Sequence, residues 1–600
     1  MDESGGTGSG STGTTKYGYS VEQELLTLTR PDSQVVTVGY DAAGRPNGVT
    51  SAEGAHGITY NAITGQVSAL TAPHGVGQSL SYNGALPTGT TRTGPVAGSV
   101  QFAYDNAFRL QDILVNGTGI SGMAYDRDGV PIANGSLAMS NRGDNGLLEF
   151  LGGANHTSSW TYDSLAQVRT YAVTFDNTGD TLFRAMYTYD KLGRITQLAE
   201  RLQADTATYA YGYDAAGRLA TVQQSGATMA AYSYDLNGNR VQATYPSGNV
   251  VGTVDAQDRL LSYGANTYAY TGNGELKLKV TGTDSTKYRY DAFGNLRDVY
   301  LPNADHIEYV IDAQQRRIGR KLNGTLQKGW LYQSQLAIAA EVDANGAVTK
   351  TFAYATHGNV PDWMYANGVP YRISTDHLGS VRLVIDVNGT VAQRIDYDAY
   401  GRVLTNTNPG FQPFGYAGGL LDDATGLTRF GARDYDAETG RWSSPDAHGL
   451  DAGSNRFEYV AGDPLNRIDP NGSFDIPQWL VDAVAGFGDA ASLGTSVVIR
   501  QLLGWNEFVN FCSVGYVSGA LLGDISAFII YRAGGELRIG RNIRIAPYGN
   551  RTGHPSGELP HYHRRAWPDA ETGVTPPGGG IGRHRPWDPP PVGQPWWRRY

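Results

Sequence analysis

The chain has one cysteine, Cys512, in 600 residues. One thiol can build neither an internal disulfide framework nor a cysteine-ligated zinc site. Charged residues make up only 17%, against 40% hydrophobic ones, a balance that excludes simple disorder. No apolar run reaches about 18 residues, the length that reads as a membrane-spanning helix. The opening "MDESGGTGSGSTGTTKYGY" has no basic stretch followed by an apolar one, so it does not read as a secretory signal. Glycine is abundant, at 79 residues, but shows no Gly-X-Y period, which excludes collagen. What is present in excess is glycine together with 38 tyrosines. Gly among Tyr, Thr and Val points to many short strands joined by tight turns, and the length exceeds one ordinary core. The expected class is mostly β.

Self-similarity explains the composition. The unit Tyr-Asp-x-x-Gly-(Arg/Asn)-aliphatic appears as "YDAAGRP" at Tyr40, "YDRDGVP" at Tyr125, "YDKLGRI" at Tyr189 and "YDAAGRL" at Tyr213. It returns at Tyr234, Tyr290, Tyr397 and Tyr435, with degenerate copies at Tyr60, Tyr82, Tyr104, Tyr162, Tyr270 and Tyr309. From Tyr40 to Tyr125 the spacings are 20, 22, 22 and 21 residues, the regularity of a repeat architecture. Alternation such as "ATYAYGYD" suits a strand with one buried face, Asp suits a turn, and Gly supplies a positive φ. Each unit is therefore a strand–turn–strand hairpin that must stack on its neighbours to bury its apolar face. A calcium loop at Asp235–Asn239 is the alternative for "DLNGN", but it lacks the distal bidentate glutamate.

These repeats resemble the Rhs/YD-repeat polymorphic toxin family over about residues 30–472. The resemblance implies hairpins coiling into a large hollow β-sheet shell that encloses a C-terminal toxin. From Ser374 the text, including "PFGYAGGLLDDATGLTRFGARDYDAETGRWSSPDAHGL", is similar to the Rhs-associated core domain. In the family that domain carries an aspartyl-type autoprotease built from two Asp-Pro-x-Gly motifs. Carried over, the catalytic carboxylates are Asp446 and Asp469, and the cut falls beside Gly472, after Ser473. Here Ala447 replaces the usual proline of the first motif, and Ser473 stands where leucine is usual. Two nearby carboxylates suit acid–base work, because one stays protonated while the other activates water. Without the resemblance, both read as ordinary turn aspartates.

Beyond Ser473 the sequence becomes apolar and helix-like. Gly515, Gly519 and Gly523 recur at i+4, a small-residue face that packs helices in membranes or in soluble hairpins. Asp482, Asp489, Glu507 and Asp524 argue against a stable bilayer span. Cys512, with no neighbouring His, reads as a buried structural thiol. The last 65 residues, from Glu536, hold ten Arg, no Lys, five acids and four His. His554, His561, His563 and His584 sit among Arg551, Arg564, Arg565, Arg583 and Arg585. Histidine moves protons near neutral pH and arginine forks match phosphate oxygens, so the pattern suits acid–base attack on a phosphodiester. In a strand, His561 and His563 share a face, and Glu558, Asp569 or Asp588 could complete a divalent-metal site; no fixed metal-binding spacing is present. No other cofactor is expected.

The expected organisation is a low-complexity N-terminus (1–29), a YD-repeat shell (30–372), a core domain (373–472), a helical pre-toxin segment (473–535) and a small α+β toxin tip (536–600). The expected function is the C-terminal part of a polymorphic toxin with a nuclease tip used in interbacterial competition. Four partners are expected: nucleic acid as substrate, from the His/Arg chemistry of the tip, and, by the resemblance, an immunity protein, a secretion machine or upstream delivery domain, and the chain's own tip as shell cargo. Because the repeats begin abruptly, further sequence upstream and export by a signal-peptide-independent route are expected. The alternatives are a membrane-disrupting, ADP-ribosylating or deaminating tip, or a cell-surface carbohydrate-binding adhesion protein.

Overall fold

The computed structural model describes residues 13–21, 24–127, 131–142, 147–447 and 453–473, with four short strands between 537 and 586. From Lys16–Tyr19 to Val403–Asn406, 38 strands form one antiparallel meander in which each strand pairs with the next. The sheet runs on past residue 372 without a break. Its two edges carry different turn chemistry. On one edge lie two-residue turns such as Asn116–Gly117, Ser225–Gly226, Asn323–Gly324 and Asn367–Gly368, both members at positive φ. These are the tight hairpin turns whose twist matches that of the flanking strands. The other edge carries the Tyr-Asp turns.

A full repeat explains its own consensus. In the turn after Tyr213, Asp214 Oδ1 accepts the N–H groups of Ala216 and Arg218, both at 2.9 Å. Asp214 Oδ2 accepts Arg218 Nε at 2.7 Å, and Gly217 takes the left-handed conformation at φ +88°. The Arg218 guanidinium then lies 4.5 Å from the ring centroid of Tyr234, the next repeat's tyrosine. The Tyr234 hydroxyl donates to the Leu219 carbonyl at 2.7 Å, just beyond that arginine. The same relay links Arg45 to Tyr60, Arg109 to Tyr125 and Arg194 to Tyr213. Each repeat thus clamps its successor through a cation–π contact and one hydroxyl bond. Where Asn follows the glycine, its amide replaces the guanidinium: Asn239 Nδ2 donates to Asp235 Oδ2 at 2.8 Å. The "DLNGN" carboxylate is therefore held by turn amides, as in the other repeats.

In the degenerate copy after Tyr104, Phe108 occupies the glycine position at φ +61° with its ring 71% exposed. A non-glycine residue pays on the order of 1–2 kcal/mol there. Phe108→Gly is therefore expected to stabilise the sheet by about 1 kcal/mol, read as a rise in the thermal unfolding midpoint.

The meander winds back on itself. Arg30 Nη1 donates to the Asp291 carbonyl at 2.9 Å, Arg92 Nη2 to Asp312 Oδ2 at 3.0 Å and Asn134 Nδ2 to the Tyr354 carbonyl at 2.6 Å. These partners lie 220 to 261 residues apart. Between the two courses sits the largest apolar cluster among the described residues, in which Val76, Val100 and Ile113 pack with Ile318, Leu331, Ile338 and Val384. Full burial of such a side chain contributes about 1.5–3 kcal/mol.

A second, four-stranded sheet follows: Leu420–Asp422, Leu427–Phe430, Arg433–Asp436 and Arg441–Trp442. This segment caps the Tyr-Asp edge. Asn466 Oδ1 accepts Ile195 N–H at 2.8 Å, Asn455 Nδ2 donates to the Asn237 carbonyl at 3.1 Å and Arg240 Nη2 to the Glu438 carbonyl at 2.6 Å.

In the C-terminal unit, strands Leu537–Ile539, Ile543–Ala546, His561–Arg564 and Arg585–Pro586 pair antiparallel in that order. The helical segment expected over 473–535, and Cys512 with it, lies outside the described residues from 474 onward. Among the described residues no helix is long and apolar enough to cross a membrane.

Candidate active site

The Leu427–Phe430 and Arg433–Asp436 strands form a hairpin with Arg429 opposite Asp434 and Phe430 opposite Arg433. Strand alternation puts these two pairs on opposite faces. On one face, Asp434 takes Arg429 Nη1 at 3.0 Å and Arg317 Nη2 at 2.8 Å, tying the hairpin to the long sheet. The other face presents Arg433, buried with its guanidinium 4.2 Å from the Trp442 ring centroid.

Both sequence-predicted aspartates arrive at Arg433. Asp446 Oδ2 lies 2.8 Å and Asp469 Oδ2 3.3 Å from its Nη2, and both carboxylates are buried. Asp446 is placed by Arg456 of the returning segment: the Asp446 N–H donates to the Arg456 carbonyl at 3.0 Å, and the Arg456 guanidinium Nη2 donates to the Asp446 carbonyl at 2.9 Å. Ala447, where the Rhs resemblance leads one to expect proline, is exposed. The anchor of Asp446 is therefore Arg456, and it does not depend on a proline ring at 447.

Asp469 begins the turn that ends in Gly472, whose N–H donates to the Asp469 carbonyl at 3.2 Å. This turn lies hard against the hairpin. Ala432 N–H donates to the Asn471 carbonyl at 2.8 Å. A Cβ on Gly431 would meet that same oxygen at 2.5 Å, and one on Gly472, at φ +67°, would meet the Phe430 carbonyl at 2.4 Å. The peptide joining Gly472 to Ser473 is consequently gripped at both ends. Its carbonyl accepts Arg433 Nε, and its N–H donates to Asp469 Oδ1 at 3.1 Å. Burial lowers the Arg433 guanidinium from its ordinary value, opposed by the charges of Asp469 and Asp446.

Sequence reasoning missed Arg433, Arg456 and Trp442. The available signal was a charged pair, Arg433–Asp434, directly after the small-residue turn Gly431–Ala432 in otherwise aromatic text. Of the tip candidates, His561 and His563 fall at alternate positions of the strand His561–Arg564, which also holds Arg564, and Arg585 lies in the adjoining strand. His554, His584, Arg551, Arg565 and Arg583 lie outside the described residues.

A continuous antiparallel meander of Tyr-Asp hairpins, closed by a core segment that docks on its turn edge, defines a YD-repeat shell. The Teneurin YD-shell family profile matches residues 6–459, and the chain belongs to that family. Mouse Teneurin-3 is 27% identical over 426 residues, 66% of this chain and 15% of that protein. The tRNA3(Ser)-specific nuclease WapA of Bacillus spizizenii is 28% identical over 274 residues, 43% of this chain and 11% of that protein. The chain thus spans a small part of the curated relatives it matches. Among solved structures, TcdB2-TccC3 aligns with a TM-score of 0.57 at 16% identity, over 77% of this chain and 28% of that one. The Photorhabdus luminescens Tc holotoxin pore aligns at 0.56 and 15%, over 79% and 30%. These two likenesses establish the fold.

Proposed function

We propose that the chain is the C-terminal part of an Rhs-type polymorphic toxin, in which the shell holds a cargo that it cuts free itself. The observation that carries this reading is the peptide at Gly472–Ser473, pinned between Arg433 and Asp469 with Asp446 on the same guanidinium. In this reading the cut falls after Ser473. One aspartate carboxylate takes a proton from water as its oxygen attacks the Ser473 carbonyl carbon. The other aspartate, entering protonated, gives its proton to the departing Phe474 amine, leaving a carboxyl and an amine. Arg433 holds the Gly472 carbonyl and so fixes the chain one residue upstream of the cut.

The released cargo, residues 474–600, carries the basic tip, which we read as a nuclease: His561 and His563 as acid and base, with His554 and His584 as the further candidates. Arg551, Arg564, Arg565, Arg583 and Arg585 bind phosphate in this reading. The nuclease named among the relatives supports this class. An immunity protein, nucleic acid and a delivery component are the partners that follow, with export as the route and competition between bacteria as the setting.

Expression of residues 474–600 in bacteria tests the cargo. Growth arrest with degraded RNA or DNA is expected, relieved by His561→Ala or His563→Ala. Harmless expression overturns the toxin reading, and arrest with collapsed membrane potential and intact nucleic acid replaces the nuclease by a membrane-active tip.

A further inference from the structure

A small cavity of about 30 Å³ opens in the shell unit beside the candidate active site, lined by Arg316, Arg317 and Arg429 with Gln335 and Asn359. No carboxylate lines it. Gly431 and Pro470 close the same cavity, so its wall includes both the hairpin turn and the Asp469–Gly472 turn.

The three guanidiniums are held from behind by too few carboxylates. Asp434 serves both Arg317 and Arg429, at 2.8 and 3.0 Å. Asp312 serves both Arg316 and Arg92, at 2.9 and 3.0 Å. Asp291, the next carboxylate, directs its oxygens to the N–H groups of Phe293 and Asn295 and to the Asn295 amide. Asp422 also faces Arg317 but is held by Arg320 at 2.8 Å and by the Tyr309 hydroxyl at 2.7 Å. The four cations Arg92, Arg316, Arg317 and Arg429 thus share Asp312, Asp434 and Asp291 with only part of the field of Asp422. All four arginines are more than nine-tenths buried, and the Nε atoms of Arg92, Arg317 and Arg429 have no hydrogen-bond partner. Arginine does not shed its proton in proteins, so this surplus persists at every working pH. Burial, added to by Arg316, brings Arg92 down to about 10, and burial lowers Arg429 as well, whereas Arg317 is raised against its burial by Asp434, Tyr309 and Asp422. Buried charge of one sign calls for a counter-ion. A fork-shaped guanidinium matches the paired oxygens of an oxyanion better than a spherical halide.

We propose that this cavity binds a tetrahedral oxyanion of the phosphate class, which supplies the missing negative charge and braces the wall shared with the Asp469–Gly472 turn. The site stands whether or not the neighbouring aspartates cut the chain.

The test titrates inorganic phosphate into the full chain at constant ionic strength in chloride, reading calorimetric binding and the thermal midpoint. One phosphate per chain with a saturable upward shift of the midpoint is expected. Gln335→Glu places a tethered carboxylate at the cavity and is expected to weaken phosphate at least tenfold while leaving the circular dichroism spectrum unchanged. The absence of saturable binding overturns the proposal. So does an equal shift with chloride, or a phosphate shift retained in Gln335→Glu, which would place the ion elsewhere, such as on the arginine-rich tip.

Discussion

The Asp469→Asn chain is expected to run on a denaturing gel as one species of 64.4 kDa, where the parent separates into residues 1–473 and 474–600. The substitution keeps the shape of the side chain and removes its charge. It also breaks a contact whichever way the amide turns, because Asp469 accepts on both oxygens: Oδ1 from Ser473 N–H at 3.1 Å and Oδ2 from Arg433 Nη2 at 3.3 Å. An amide nitrogen in either place sets donor against donor. The loss of an acid–base group from such a unit costs on the order of 10³–10⁴-fold in rate. Asp463→Asn is the matched control. That carboxyl accepts Asn466 Nδ2 at 2.7 Å within the same segment, so the control chain should still be cut. Two fragments from Asp469→Asn in the parent's proportions would remove the aspartate pair from the mechanism.

The hairpins were legible because their information is local. Tyr, Asp, Gly and Arg of one repeat lie within six residues, and each performs a task that its chemistry announces: a hydroxyl donor, a turn acceptor, a positive φ, a cation. The following repeat completes the clamp some 16 residues on, as with Arg218 and Tyr234. What could not be read is what the winding brings together. Arg30 and Glu275 are 245 residues apart, Arg92 and Asp312 are 220 apart, and neither pair shares a pattern. A polar residue at a strand position looks solvent-facing until the second course of the coil covers it.

At the candidate site the same division holds. Asp446 and Asp469 were legible only through the family resemblance, since alone they read as ordinary turn aspartates, and the residue that unites them was not legible at all. Arg433 is 13 positions before one and 36 before the other, and it resembled the many turn arginines of the repeats. The two departures from the family pattern also change meaning with the geometry in view. Ala447 costs no placement, since Arg456 holds both backbone groups of Asp446. Ser473 enters the site through its backbone N–H, a group that every residue but proline supplies, so leucine is not needed for that contact.

Arg433→Met is expected to have the largest effect on the fold itself. The guanidinium is the shared partner of two buried carboxylates and of the Gly472 carbonyl. Methionine fills much of the volume against Trp442 but removes the cation that the buried Asp446 and Asp469 share. Removing one partner of a buried ion pair costs about 3–5 kcal/mol, which should lower the thermal midpoint of the shell by several degrees. Arg433→Lys separates stability from chemistry. Its ammonium keeps the positive charge and most of the midpoint, but a point donor cannot hold both aspartates and the Gly472 carbonyl in one plane as the guanidinium does. The lysine chain should therefore fold nearly as well as the parent and remain uncut. A lysine chain cut at the parental rate would reduce Arg433 to a counter-charge and shift the positioning of the peptide to the Asp469–Gly472 turn alone.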